Sequence, residues 1–171
     1  VLVIMAGLPA SGKTAISRAL AREIRGVHVR IDTIEQAVVR SGAASRPLGP
    51  VGYVVGYAIA EDHLRQGLTV VADSVNPLQA TRDAWCDIAR STGSDFVEVE
   101  VVCSDPVEHR KRATSRSVDI PGLTPPGWRA IVESDYEPWH RSPVVIDTAG
   151  RFIAACVREL MVACPGLVAL E

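Results

Sequence analysis

Eight residues near the start of the chain, Gly7-Leu8-Pro9-Ala10-Ser11-Gly12-Lys13-Thr14, satisfy the spacing GxxxxGK[ST] at every fixed position. They lie between the apolar run Val1–Met5 and an amphipathic stretch carrying Ile16, Ala19, Leu20 and Ile24 on one helical face. No other feature constrains the fold as strongly, because the loop must leave a buried strand and enter a helix. Its glycines let backbone N–H groups turn inward around a phosphate. The helix that follows adds its N-terminal partial positive charge. Leu8, Pro9, Ala10 and Ser11 supply the intervening backbone, Lys13 reaches β- and γ-phosphates as a point charge, and Thr14 offers a hydroxyl to Mg²⁺.

Downstream, β-branched runs alternate with amphipathic stretches. Strands are expected at Val27–Ile31, Leu68–Ala72, Phe96–Val102 and Val144–Ile146, with Phe96–Val102 less enclosed because Glu98 and Glu100 alternate through it. The spacing predicts helices over Lys13–Ile24, from a capping box at Thr33-Ile34-Glu35-Gln36, and over Val51–Gln66 with Gly67 as the stop. Further helices are expected from an Asn76 cap and Pro77 to Ser91, from the Asp105-Pro106-Val107-Glu108 start, and over Phe152–Cys164. Prolines and glycines break the chain over Pro121–Gly127. Strands separated by helices imply a parallel sheet in one α/β domain spanning residues 1–171.

Ligands of such sheets collect at the C-terminal ends of the strands. Asp32 and Asp73 both follow apolar runs there. Asp73 suits an acid that holds Mg²⁺, and Asp32 a base that takes the proton of an attacking hydroxyl. Helix capping or a turn is the plainer alternative for each. Gly7 to Thr14, Arg30-Ile31-Asp32-Thr33-Ile34-Glu35 and Val70-Val71-Ala72-Asp73-Ser74-Val75-Asn76 together resemble the small P-loop kinases related to chloramphenicol phosphotransferase, polynucleotide kinase and zeta toxin, often labelled AAA-family ATPases of kinase type. The resemblance covers nearly the whole chain. It implies a three-layer P-loop NTPase fold, with a five-stranded parallel sheet in order 2-3-1-4-5 and a helical lid over about residues 105–127. It also implies ATP and Mg²⁺ as cofactors, Asp32 as general base, and a small-molecule hydroxyl as acceptor. The family's frequent Arg one helical turn after the base is absent, since Gln36 stands there.

The dense basic cluster His109–Arg116 falls in that lid. Arg112 and Arg116, four apart, would share a helix face and neutralise charge on a transferred group, with Arg110 next; a solvated basic face is the alternative. Asp147-Thr148-Ala149-Gly150 has the form DxxG but lies far beyond the phosphate loop, and no NKxD signature accompanies it. In the resembled kinases this loop packs near the adenine, so Thr148 and Gly150 are candidate base contacts, with a plain helix start as the alternative. The Gly/Pro-rich stretch Ser41–Gly56, with Tyr53 and Tyr57 on one face and Glu35 and Arg40 nearby, is a candidate acceptor site; core packing explains the tyrosines equally well.

Composition excludes other classes. A net charge of −2 argues against nucleic-acid partners and so against a nucleic-acid 5′-hydroxyl kinase, which would need a basic channel. A non-enzymatic ATP-binding switch is the remaining rival. No apolar run approaches the roughly 20 residues of a membrane span, and no charged segment with a cleavage site opens the chain. Cys86, Cys103, Cys156 and Cys164 lack CxxC spacing, and buried thiols of a reducing cytoplasm are expected. Oligomeric state is open. Of 18 basic residues only Lys13 and Lys111 are lysine.

Overall fold

In the computed structural model, which describes residues 1–167, β1 (Leu2–Ala6) is buried along its whole length at the centre of one parallel sheet. The strands β2 (Val27–Arg30), β3 (Val70–Asp73), β4 (Phe96–Val102) and β5 (Val144–Asp147) complete it in the order β2-β3-β1-β4-β5. Alternation along β1 divides the core. Val3 and Met5 join Ile16 and Leu20 of α1 (Lys13–Glu23) and Leu160 of α7 (Ile153–Ala163) on one face. Leu2 and Ile4 join Ala60 and Leu64 of α3 (Val51–Arg65) and Trp85 of α4 (Gln79–Ser91) on the other. A strand covered on both faces reads as an unbroken apolar run, which is what Val1–Met5 shows. The three-layer architecture and sheet order agree with the expectation.

Several boundaries differ for physical reasons. Helix α2 (Ile31–Ser41) starts at Ile31 from an extended Arg30, with no side-chain cap, instead of at a Thr33 capping box. Ile31 is 3% exposed, and its Cδ1 approaches α3 so closely that a Cβ on Gly56 would lie 2.3 Å away. Burying it forces the turn as soon as the strand ends, and Asp32 thereby enters the first helical turn.

Asn76 caps no helix. It adopts φ 47° and is fully buried. Its Nδ2 donates to the Met5 carbonyl at 2.8 Å, and its Oδ1 accepts from Trp85 Nε1 at 3.1 Å. Helix α4 starts later, after Leu78, with the Glu137 carboxylate accepting from the Gln79 N–H. Glu98 is also more enclosed than its alternation suggests, at 8% exposure, because Arg141 Nε and Nη2 grip both its oxygens at 2.6 and 2.7 Å.

Helix α5 (Pro106–Ser115) begins as anticipated: Asp105 Oδ1 accepts from the Val107 and Glu108 N–H groups at 2.8 and 3.1 Å, and Pro106 occupies the first turn. A short α6 (Trp128–Val132) follows the Pro-rich segment, and a 3₁₀ turn Pro165–Leu167 follows α7. Tyr53 and Tyr57 belong to the core, with Tyr57 edge-on to Trp85 at 4.6 Å and its hydroxyl donating to the Thr81 carbonyl. Trp139 and Tyr136 flank the guanidinium of fully buried Arg82, which donates to the carbonyls of Asn76, Pro77, Glu137 and Pro138. All four cysteines are free thiols; Cys86 and Cys156 are buried as expected, whereas Cys103 and Cys164 are only partly buried. Among the described residues, no helix is long and apolar enough to cross a membrane.

Removing the Asp105 cap tests the local account of α5. Asp105→Ala is expected to lower the unfolding free energy by about 1 kcal/mol, read as a reduced urea midpoint at unchanged slope.

Candidate active site

The loop between β1 and α1 curls through three positive-φ residues, Gly7 (134°), Ala10 (67°) and Gly12 (99°). A side chain at position 7 is sterically excluded, because its Cβ would fall 2.2 Å from the Val101 carbonyl oxygen. Interleaved left-handed residues gather backbone N–H groups into a concave anion site. Ser11 Oγ is buried there without a hydrogen-bond partner, a group an oxyanion would satisfy.

The loop is braced from behind. Thr148 is fully buried, its hydroxyl 2.7 Å from the Ser11 carbonyl and 3.0 Å from that of Val102. His109 Nε2 donates to the Pro9 carbonyl at 2.8 Å. A carbonyl only accepts, so the ring carries its proton on that nitrogen.

Lys13, the first residue of α1, is 7% exposed and donates from Nζ to Asp73 Oδ1 at 3.0 Å. Thr14 Oγ1 lies 3.4 Å from the same oxygen. A hydroxyl and a carboxylate, both hard oxygen donors beside a phosphate cradle, are the set Mg²⁺ takes, so the residues present fit that ion. The other Asp73 oxygen lies 3.1 Å from His28 Nε2. Complete burial alone would push the Asp73 carboxyl up; the Lys13 charge and the His28 hydrogen bond hold it well below the usual carboxylate range.

A cavity of about 550 Å³ opens in front of the loop and brings the predicted groups together. Lys13 and Thr14, Asp32 and Glu35 of α2, and Arg112 and Arg116 line it, whereas Asp73 lies behind Lys13 outside the lining. Asp32 is half-exposed, with Arg30 Nη2 at 3.7 Å. Burial pushes the Glu35 carboxyl up, partly offset by Arg46 Nη1 at 3.5 Å.

Arg112 is fixed by Glu108 and by the Thr148 hydroxyl and carbonyl, at 2.7 and 2.9 Å. Arg116 lies beyond the end of α5 in extended backbone, so the two arginines share a cavity rather than a helix face. Its Nε is buried without a partner, and burial lowers its pKa.

Four expected contributors lie elsewhere. Arg110 is two residues from Arg112, hence on the far side of the helix, and borders a shallow groove with Val107 and Trp128. Thr148 is enclosed beneath the loop, and the Gly150 N–H donates to Glu108 Oε2 at 2.8 Å, so both brace α5 against the end of β5. Arg40 is exposed at the end of α2 and does not border the cavity, whereas Arg46 does.

Sequence reasoning passed over Arg18, Arg30 and Asp119, all at the cavity. Asp119, on the segment after α5, accepts from Arg18 Nη2 at 2.5 Å and from Arg30 Nη1 at 3.0 Å, and so ties that segment to α1 and β2. Arg30 and Asp32 flank the turn into α2, a spacing that could have drawn attention to Arg30. Nothing local marks Asp119.

The AAA-domain family model matches residues 2–120. The chain belongs to this AAA-domain family. The matched region runs from β1 through α5 and contains the phosphate loop, and the resemblance to small P-loop kinases stands. An Aeropyrum pernix protein named "Probable adenylyl-sulfate kinase" is 26% identical over 166 residues, covering 90% of this chain and 86% of its own. The fold is shared with Chaetomium thermophilum Kti12 in complex with ADP-AlF3, at TM-score 0.71, 18% identity and coverage of 99% and 100%. It is shared too with Mycobacterium tuberculosis APS kinase CysC in complex with AMPPNP and APS, at TM-score 0.67, 16% identity and coverage of 94% of each chain.

Hydrogen bonds from Arg18, then Arg30, lower the Asp119 carboxyl from its ordinary 3.8 to about 2. A carboxyl depressed on folding adds stability above its unfolded pKa and loses it as pH falls through the folded value. The carboxyl-carbon resonance of Asp119 is expected to titrate near 2 in the folded protein, and to move up toward 3.8 in Arg18→Ala.

Proposed function

We propose that the chain is a P-loop kinase that transfers the γ-phosphoryl group of ATP to a hydroxyl of a small molecule. The observation that carries this reading is one cavity bordered by Lys13 and Thr14, by Asp32, and by Arg112 and Arg116. The names of its similar proteins, an adenylyl-sulfate kinase among them, support the reaction class.

The loop amides and Lys13 bind the polyphosphate and orient its terminal group toward Asp32. Mg²⁺, held by Thr14 and Asp73, would neutralise charge on the β- and γ-oxygens. The acceptor oxygen attacks the γ-phosphorus in line with the bond to the β–γ bridging oxygen. A new O–P bond forms, the bridging bond breaks, and ADP leaves. The acceptor proton passes to the Asp32 carboxylate, which borders the same cavity as the phosphate loop. Arg112 and Arg116 neutralise the transferred group, and the segment 105–127 acts as the lid that excludes water and so limits ATP hydrolysis.

A screen of hydroxylated metabolites and antibiotics for ADP release above the background ATPase rate tests the reading. One acceptor should yield one phosphoester per ADP. Lys13→Ala should abolish nucleotide binding or turnover. Asp32→Asn should keep ATP affinity and cut turnover by about 100-fold or more, the scale of a lost general base. Normal transfer by Asp32→Asn would remove Asp32 from that role. Nucleotide binding without transfer to any acceptor, with a partner protein captured only in the ATP state, would replace the enzyme with a switch.

A further inference from the structure

We propose that His28 is a positioning residue for the metal-holding carboxylate: it clamps Asp73 Oδ2, so that Oδ1 stays turned toward Thr14 when Lys13 moves to the nucleotide. This rests on the reading of Thr14 and Asp73 as the Mg²⁺ site. Asp73 ends β3 at 2% exposure, and its two oxygens have separate partners. Lys13 Nζ and Thr14 Oγ1 share Oδ1, while among the described residues His28 alone holds Oδ2.

The two strands fix that division. Parallel pairing sets His28 beside Val71 and Arg30 beside Asp73, so the imidazole, two residues upstream of Arg30 on the same face, reaches forward to the end of β3. The carboxylate only accepts, so His28 must donate through Nε2–H.

The clamp matters because the resting ion pair does not survive substrate binding intact. A polyphosphate in the loop draws the Lys13 ammonium toward itself, and a buried carboxylate that loses its partner is costly. His28 belongs to the sheet and need not move, so Asp73 keeps one fixed donor through the exchange. Partners that orient a metal-holding carboxylate in this way govern metal affinity without touching the ion. The imidazole also borders a separate cleft of about 240 Å³ on the outer side of the edge strand, with Arg18, Thr33 and Ile59, and its side chain is 19% exposed.

The test uses Mn²⁺ as a paramagnetic stand-in for Mg²⁺, titrated into the ADP-saturated protein and followed by electron paramagnetic resonance. His28→Leu is expected to weaken Mn²⁺ binding by about tenfold or more, with metal-free ADP affinity unchanged by calorimetry. His28→Gln, whose amide Nε2–H reaches about as far, should restore most of it; His28→Asn, one methylene shorter, should not. Wild-type Mn²⁺ affinity in His28→Leu, or failure of His28→Gln to recover it, overturns the proposal while leaving the kinase reading intact. Wild-type protein that binds ADP but no Mn²⁺ overturns the metal site itself, and the inference with it.

Discussion

A carboxylate buried at the centre of a parallel sheet must have its charge met, and the active end of this molecule is organised around that requirement. Asp73 lies between β1 and β2, out of water, where the Lys13 charge and the His28 hydrogen bond hold its carboxyl below the usual range against the cost of burial, with Thr14 also alongside. Truncating one member of a buried ion pair costs about 3–5 kcal/mol in general, so the pair is stabilised against loss from either side. In the proposed mechanism the same pair supplies the ammonium for the phosphates and the carboxylate for the metal, and both are buried in this structure.

The phosphate loop depends on the same economy of buried contacts. Gly7 lies against the Val101 carbonyl, Thr148 fills the space under Ser11 and Gly12, and His109 grips Pro9. These contacts come from β4, from the end of β5 and from α5, so three distant stretches hold eight residues in a left-handed curl. Arg112 shares the Thr148 anchor. One wall of the cavity is therefore built on the brace of the loop, whereas Arg116 and Asp119 reach the cavity from the segment that follows α5.

Much of the architecture was legible because periodicity and punctuation agree locally. Val1–Met5 reads as a doubly covered strand, Asp105-Pro106 as a helix start and Gly67 as a stop, and each has its cause within a few residues. The misreadings have long-range causes. Thr33 looks like a cap, yet burial of Ile31 under α3 starts α2 earlier. Asn76 looks like a cap, yet its amide is spent on Met5 and Trp85, 71 and 9 residues away in sequence.

The same division runs through the site. Lys13, Thr14, Asp32 and Asp73 were visible because the loop motif and the strand ends announce them. The Asp119 bridge and the His28 clamp were not, since both join elements whose meeting only the assembled sheet determines. Thr148 and Gly150, expected near the base, lie in a loop that contacts the phosphate loop and α5, and Arg110 borders a groove apart from the cavity.

The scarcity of lysine gives a direct view of the central exchange. With only Lys13 and Lys111 in the chain, protein labelled at lysine Nζ and Cε should show two side-chain signals, assigned by Lys111→Arg. Addition of Mg²⁺ and a non-hydrolysable ATP analogue should shift the Lys13 signal and leave Lys111 nearly unmoved, with the Asp73 carboxyl carbon shifting in parallel as it trades ammonium for metal. An unchanged Lys13 signal at saturating nucleotide would contradict the account, because Lys13 would then never leave Asp73 for the phosphates.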